Sequence, residues 1–95
     1  MASFALICVD KPAHLAARMA AREAHLAYVG RHRAMVRLAG PLLGDDGEMA
    51  GSLFILDVAG IEDARTFNAA DPYTLAGLFE RVEVLPMRVT IGPTS

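Results

Sequence analysis

The sequence predicts an α+β fold with the element order β-α-β-β-α-β. Three observations carry that reading. The short apolar run Phe4 to Val9 stops at Asp10-Lys11-Pro12, a strand that runs into a helix start. An Ala-rich stretch without proline follows, and further short apolar runs come after it, separated by Gly-Pro, Gly-Asp-Asp-Gly and Asp-Pro punctuation. With 95 residues the chain is expected to form one domain, 1–95. Surface scaling gives such a chain roughly 64% burial on folding, enough for one modest core. Hydrophobic residues make up 54% and charged residues 21%, which excludes intrinsic disorder.

Each element has a local reason. Phe4 to Val9 is partly β-branched, with Asp10 a cap candidate for the next element and Pro12 in its first turn. The helix is expected from Ala13 to about Arg33, with an apolar stripe at Leu15, Met19, Leu26 and Val29 and a break near Ala20 or Ala21 because of its length. A second strand covers Ala34 to Ala39 and ends at Gly40-Pro41. The loop Leu42 to Gly51 holds the turn Gly44-Asp45-Asp46-Gly47. Ser52 to Val58 is the third strand. A short helix follows from Ile61 to about Ala69, then a turn or helix from Asp71-Pro72 to about Leu78. The last strand runs from Phe79 to Ile91, interrupted at Pro86.

This order is the split βαβ arrangement of the ferredoxin-like fold, in which the helices cover one face of a four-stranded antiparallel sheet. The other face ordinarily alternates with polar residues. Here both registers are apolar: Phe4, Leu6 and Cys8 alternate with Ala5, Ile7 and Val9, and Leu53 and Ile55 with Phe54 and Leu56. A second copy of the chain, packed sheet to sheet, is the economical cover, so a homodimer is expected.

Several function classes fall away. The net charge of −2 gives no electrostatic warrant for nucleic acid or an anionic membrane as the main partner. Cys8 is the single cysteine, so no intrachain disulfide or all-cysteine zinc site is expected, and its apolar neighbours mark it as a buried, inert thiol. The run Phe4 to Val9 is too short for a signal h-region, and a soluble, cytoplasmic protein is expected. No P-loop, G-x-G-x-x-G, H-E-x-x-H or G-x-S-x-G motif is present, so a nucleotide site, a helix-borne metal site and a serine nucleophile lack support, and any chemistry is expected to need no cofactor or metal.

Two constellations could carry it. Arg18, Arg22, His25, Val29 and His32 share one helical line. Arg18 and His32 read as a solvated face and His14 as an exposed first-turn residue, whereas Arg22 and His25 border the apolar stripe and can point into a cleft. Asp71-Pro72-Tyr73 is the second, and a capped helix start accounts for its Asp and Pro without further role.

Arg22-Glu23-Ala24-His25-Leu26, Gly40-Pro41, Gly51-Ser52 and Asp71-Pro72-Tyr73 with Ala76-Gly77, taken in order, resemble the YciI-like (YCII-related) family over Phe4 to Val89, closing strand and Pro86 included. The resemblance implies the dimeric α+β barrel form of the ferredoxin-like fold. It also implies a histidine–aspartate pair in a cleft, which maps onto His25 and Asp71 as the catalytic residues. Arg22, Ser52 and Tyr73 are the expected substrate-binding residues. Most members have no known activity; a few relatives act in aromatic degradation, including a dehydrochlorinase-type step. The chemistry fits such a pair: histidine both takes and gives a proton near neutrality, and a carboxylate on one ring nitrogen fixes the tautomer. Arg22 is placed to hold a phenolate oxygen, and Tyr73 to donate a hydrogen bond or stack on a ring. A small lyase or isomerase is the leading expectation, with a non-catalytic binding module or a pure dimerisation module as alternatives.

Overall fold

The structure, a computed structural model, describes residues 1–92. Strands β1 (Ala2–Asp10), β2 (Val36–Leu43), β3 (Met49–Val58) and β4 (Phe79–Met87) form one antiparallel sheet in the order β2-β3-β1-β4. Helices α1 (Leu15–Arg31), α2 (Ile61–Ala70) and α3 (Pro72–Leu75) complete the ferredoxin-like topology, with a 3-10 turn at Arg33–Met35 before β2. Among the described residues no helix is long and apolar enough to cross a membrane.

Alternation in the strands assigns the faces. Phe4, Leu6 and Cys8 of β1 and Phe54, Leu56 and Val58 of β3 lie buried under the helices, where they meet Tyr28, Ala64 and Phe67. The Phe67 and Phe54 rings pack edge to face at 5.4 Å, and burying such a ring stabilises by roughly 2–3 kcal/mol. Ala5, Ile7, Val9, Leu53 and Ile55 line the opposite, helix-free face and are half-buried.

Several local expectations are corrected. Strand β2 does not end at Gly40-Pro41 but runs through them to Leu43, and Pro86 lies inside β4, which ends at Met87 rather than Ile91. Both strands are sheet edges, where the missing N–H of proline faces no partner strand. The loop between β2 and β3 shrinks accordingly to the turn around Gly44 to Glu48, where Gly44 N–H donates to the Glu48 carbonyl at 2.9 Å. Helix α1 is unbroken at Ala20-Ala21, since its alanines are strong formers and no Gly or Pro interrupts them there. Its most buried side chains are also not those of the apolar stripe, of which Val29 packs partly buried against the core. Arg18, His25 and Tyr28 point inward, while Met19 and Leu26 are each 50% exposed.

Polar side chains can face inward because each finds a partner. Tyr28 donates its hydroxyl to the Phe67 carbonyl at 2.8 Å, and Arg18 and His25 are paired as described below. His32 is half-buried and its Nδ1 donates to the Tyr28 carbonyl at 2.9 Å, so it is not simply solvated. His14 occupies the N-cap position of α1, with Pro12 outside the helix, and Asp10 does not cap.

Candidate active site

The site is assembled where the end of β1, the inner face of α1, the start of β3 and the α2–α3 junction meet. Asp71 separates the two helices and has an extended backbone, as expected before a proline. Its Oδ1 accepts from the Tyr73 N–H at 2.9 Å, capping α3, with Pro72 at the first helical position. The far end of α3 is closed by Gly77 at φ +70: Leu78 N–H donates to the Tyr73 carbonyl at 3.1 Å and Gly77 N–H to the Thr74 carbonyl at 3.0 Å. This double closure needs the left-handed conformation glycine adopts freely. It fixes Tyr73 from both sides.

His25 and Asp71, 46 residues apart, meet: His25 Nδ1 lies 2.8 Å from Asp71 Oδ1. The same oxygen thus caps α3 and holds the imidazole. Since that oxygen accepts from a backbone N–H, the bond to the histidine is best read with Nδ1 as donor. The neutral ring then keeps its lone pair on Nε2. Asp71 is fully buried, and its Oδ2 has no hydrogen-bond partner among the described residues.

The imidazole is clamped by rings. Tyr73 stacks on it at 3.9 Å with 11° between planes, and Phe54 tilts against it at 5.9 Å. Burial pushes the Tyr73 phenol above its ordinary pKa, with Arg18 and Arg22 pulling the other way. The phenol is therefore a neutral donor at neutral pH.

Arg18 is the residue that sequence reasoning misplaced. It is 2% exposed, not solvated. Its Nε donates to Asp10 Oδ2 at 2.8 Å, and one Nη donates both to Asp10 Oδ1 at 3.1 Å and to Ser52 Oγ at 2.7 Å. Its guanidinium carbon lies 4.5 Å from the Tyr73 ring centroid. A signal existed: Asp10 shares the parity of Phe4, Leu6 and Cys8, so an acid stands on the core face and requires a buried cation.

These groups border a cavity of about 210 Å³ lined by Arg18, Arg22, His25, Ser52 and Tyr73, with Leu26, Val29, Phe54 and Met49 as apolar wall. A cavity near 150 Å³ holds one benzene ring, so this volume suits a single substituted ring. All five expected site residues gather here except that Asp71 stands behind His25 and does not line the cavity; Arg22 is exposed at the rim. Cys8 is buried nearby, its thiol pushed up to about 12 by burial and then by the Asp71 charge. Among the described residues no group of three or more His, Cys, Asp or Glu is placed to hold a metal ion.

The model of the YCII-related domain matches residues 2–88. The chain belongs to the YCII-related family. Within it, the chain is 32% identical over 93 residues to Protein YciI of Escherichia coli O6:H1, covering 90% of this chain and 95% of that protein. It is 33% identical over 93 residues, with the same coverage, to an uncharacterized protein of Haemophilus influenzae. Among solved structures, the YCII-related chain is similar to the 5-chloro-2-hydroxyhydroquinone dehydrochlorinase TftG of Burkholderia phenoliruptrix, solved in complex with 2,5-dihydroxybenzoquinone. The TM-score is 0.83 and the identity 33%, over 97% of each chain. A putative antibiotic biosynthesis monooxygenase of Bacteroides thetaiotaomicron shares the fold alone, at TM-score 0.58 and 11% identity, covering 97% of this chain and 91% of that one.

Proposed function

We propose that this chain is a cofactor-free enzyme that uses His25 as a proton shuttle, oriented by Asp71, to eliminate hydrogen chloride from a small hydroxylated ring. The observation that carries the reading is the 2.8 Å bond from His25 Nδ1 to a fully buried carboxylate, on the wall of a one-ring cavity. The likeness to a dehydrochlorinase over 97% of the chain supports the reaction class.

The chemistry balances without an oxidant. His25 Nε2 takes the proton from one ring hydroxyl, and the oxygen lone pair forms a carbonyl as the ring electrons move to the chlorine-bearing carbon. The imidazolium returns its proton to that carbon. Withdrawal of a second hydroxyl proton then drives chloride out with the C–Cl pair, leaving a quinone. Asp71 stabilises the imidazolium at each stage without taking the proton. Arg22, Ser52 and Tyr73 bind the ring and its oxygens.

The test is chloride release from 5-chloro-2-hydroxyhydroquinone. Wild-type protein should release it catalytically, and His25→Gln should lose about 10²–10⁴-fold in rate. A thermal shift with that compound but no chloride would replace the enzyme by a binding module.

We also infer that the chain is a homodimer, with Ala5, Ile7, Val9, Leu53 and Ile55 of one protomer facing the same residues of its partner. Support comes from the helix-free sheet face, which also leaves Leu38 58% and Leu85 47% exposed.

A further inference from the structure

A guanidinium has only donors. In the 2.7 Å contact between the Arg18 Nη and Ser52 Oγ, the serine oxygen is therefore the acceptor, and its own proton must point elsewhere. Among the described residues that hydroxyl donates to nothing. Ser52 is 3% exposed and borders the cavity together with His25, Tyr73 and Arg22. Arg18 cannot turn away to release it: Asp10 holds its Nε and Nη at 2.8 and 3.1 Å, and the Tyr73 ring covers it. Among the described residues no carboxylate lines the cavity, so the arginines, Ser52 and Tyr73 face it as donors, and His25 Nε2 is left as the side-chain acceptor.

We propose that Ser52 is the specificity-determining donor of this cleft and that Arg18, braced by Asp10, is the residue that positions it. The cleft then selects a ring oxygen that is ionised or a carbonyl over the same oxygen carrying a proton. The inference rests on the reading of the cleft as a ligand site but not on turnover. It deepens that reading by naming the ligand form: a ring with one deprotonated or carbonyl oxygen at Ser52 and a removable proton at His25.

The probe is 4-nitrophenol, whose phenolate absorbs in the visible and whose phenol does not, so the two forms are titrated separately against the full chain. Wild-type protein should bind phenolate at least tenfold tighter than phenol. Ser52→Ala should lose about tenfold in phenolate affinity with the phenol unaffected, and Ser52→Thr, which restores a hydroxyl, should recover it. The double variant Arg18→Met with Asp10→Asn, which leaves no charge buried alone, should free the Ser52 hydroxyl to accept. Its preference for phenolate should then collapse while phenol binding persists; a general loss of structure lowers both. If the double variant does not fold, the Ser52 pair of variants decides alone. Equal affinity of wild-type protein for the two forms, absence of binding, or wild-type selectivity in Ser52→Ala overturns the proposal. Selective phenolate binding without chloride release from the chlorinated ring leaves it standing and retires the enzymatic reading instead.

Discussion

The Tyr73 ring lies flat on the His25 imidazole, 3.9 Å between centroids and 11° between planes. Arg18, two helical turns before His25 and about 10 Å away along the axis, meets the same ring at 4.5 Å. Tyr73 thus sits between two side chains of α1 and limits rotation of the imidazole about its bond to Asp71. Tyr73→Phe retains the stack but loses the phenol donor, so kcat for chloride release should stay within about threefold of wild type while KM rises. Tyr73→Leu loses the aromatic contact, worth roughly 0.5–1.5 kcal/mol, and should slow release by about tenfold while the Asp71 cap of α3 persists. Steady-state rates of the two variants side by side check this.

Cys8 should resist labelling by a thiol reagent in the folded protein, because a thiolate there is opposed by burial and by the Asp71 charge. The same shift gives a pH dependence. The folded thiol titrates at about 12 against 9.0 for the ordinary group. A raised folded pKa contributes stability that is intact below the unfolded value and lost as pH rises through the folded one. Wild-type protein should therefore lose stability between about pH 9 and 12 more steeply than Cys8→Ala. Urea midpoints of the two proteins across that range measure the difference; parallel curves would count against it.

Gly51 should tolerate no side chain. It pairs with Val9 across β1 and β3, and a Cβ at this position would collide with the Cys8 carbonyl oxygen. Gly51→Ala should cost about 1–3 kcal/mol, the usual range for overpacking, and should shift the neighbouring Ser52. Denaturant unfolding reads the first effect and phenolate affinity the second.

The dimer has a direct check in sedimentation at micromolar concentration, which should give twice the chain mass. Leu53→Lys, on the helix-free face, should give monomers that keep the far-ultraviolet circular dichroism of the parent. A clean monomer for wild-type protein would remove the second sheet from the account.

Much of this architecture was legible because the order of short apolar runs and turn punctuation is a strong signal. The two apolar registers of Phe4 to Val9 marked a sheet apolar on both faces without telling which one the helices cover, and Asp71-Pro72-Tyr73 marked the start of α3. Edge position was not legible, since whether proline ends a strand depends on neighbours the local sequence does not name; hence the misjudged Pro41 and Pro86. The inner face of α1 was misread for a related reason. Hydrophobicity ranks Met19 and Leu26 above Arg18, but burial followed partners: Asp10 and Ser52 accept from Arg18, whereas half of Leu26 is left in the open. The pairing of His25 with Asp71 came from the family pattern and not from spacing, because 46 residues of intervening chain carry no rule that brings two side chains together.

Asp71 should hold His25 with its proton on Nδ1 and its lone pair on Nε2, open to the cleft. Nitrogen-15 correlation spectra of the neutral imidazole read this directly, without any substrate. His25 should show a protonated Nδ1 and an unprotonated Nε2 in wild-type protein, and lose that preference in Asp71→Asn, which still caps α3 and stays folded. A neutral His25 with its proton on Nε2 in the wild-type chain, or a spectrum unchanged in Asp71→Asn, would contradict it.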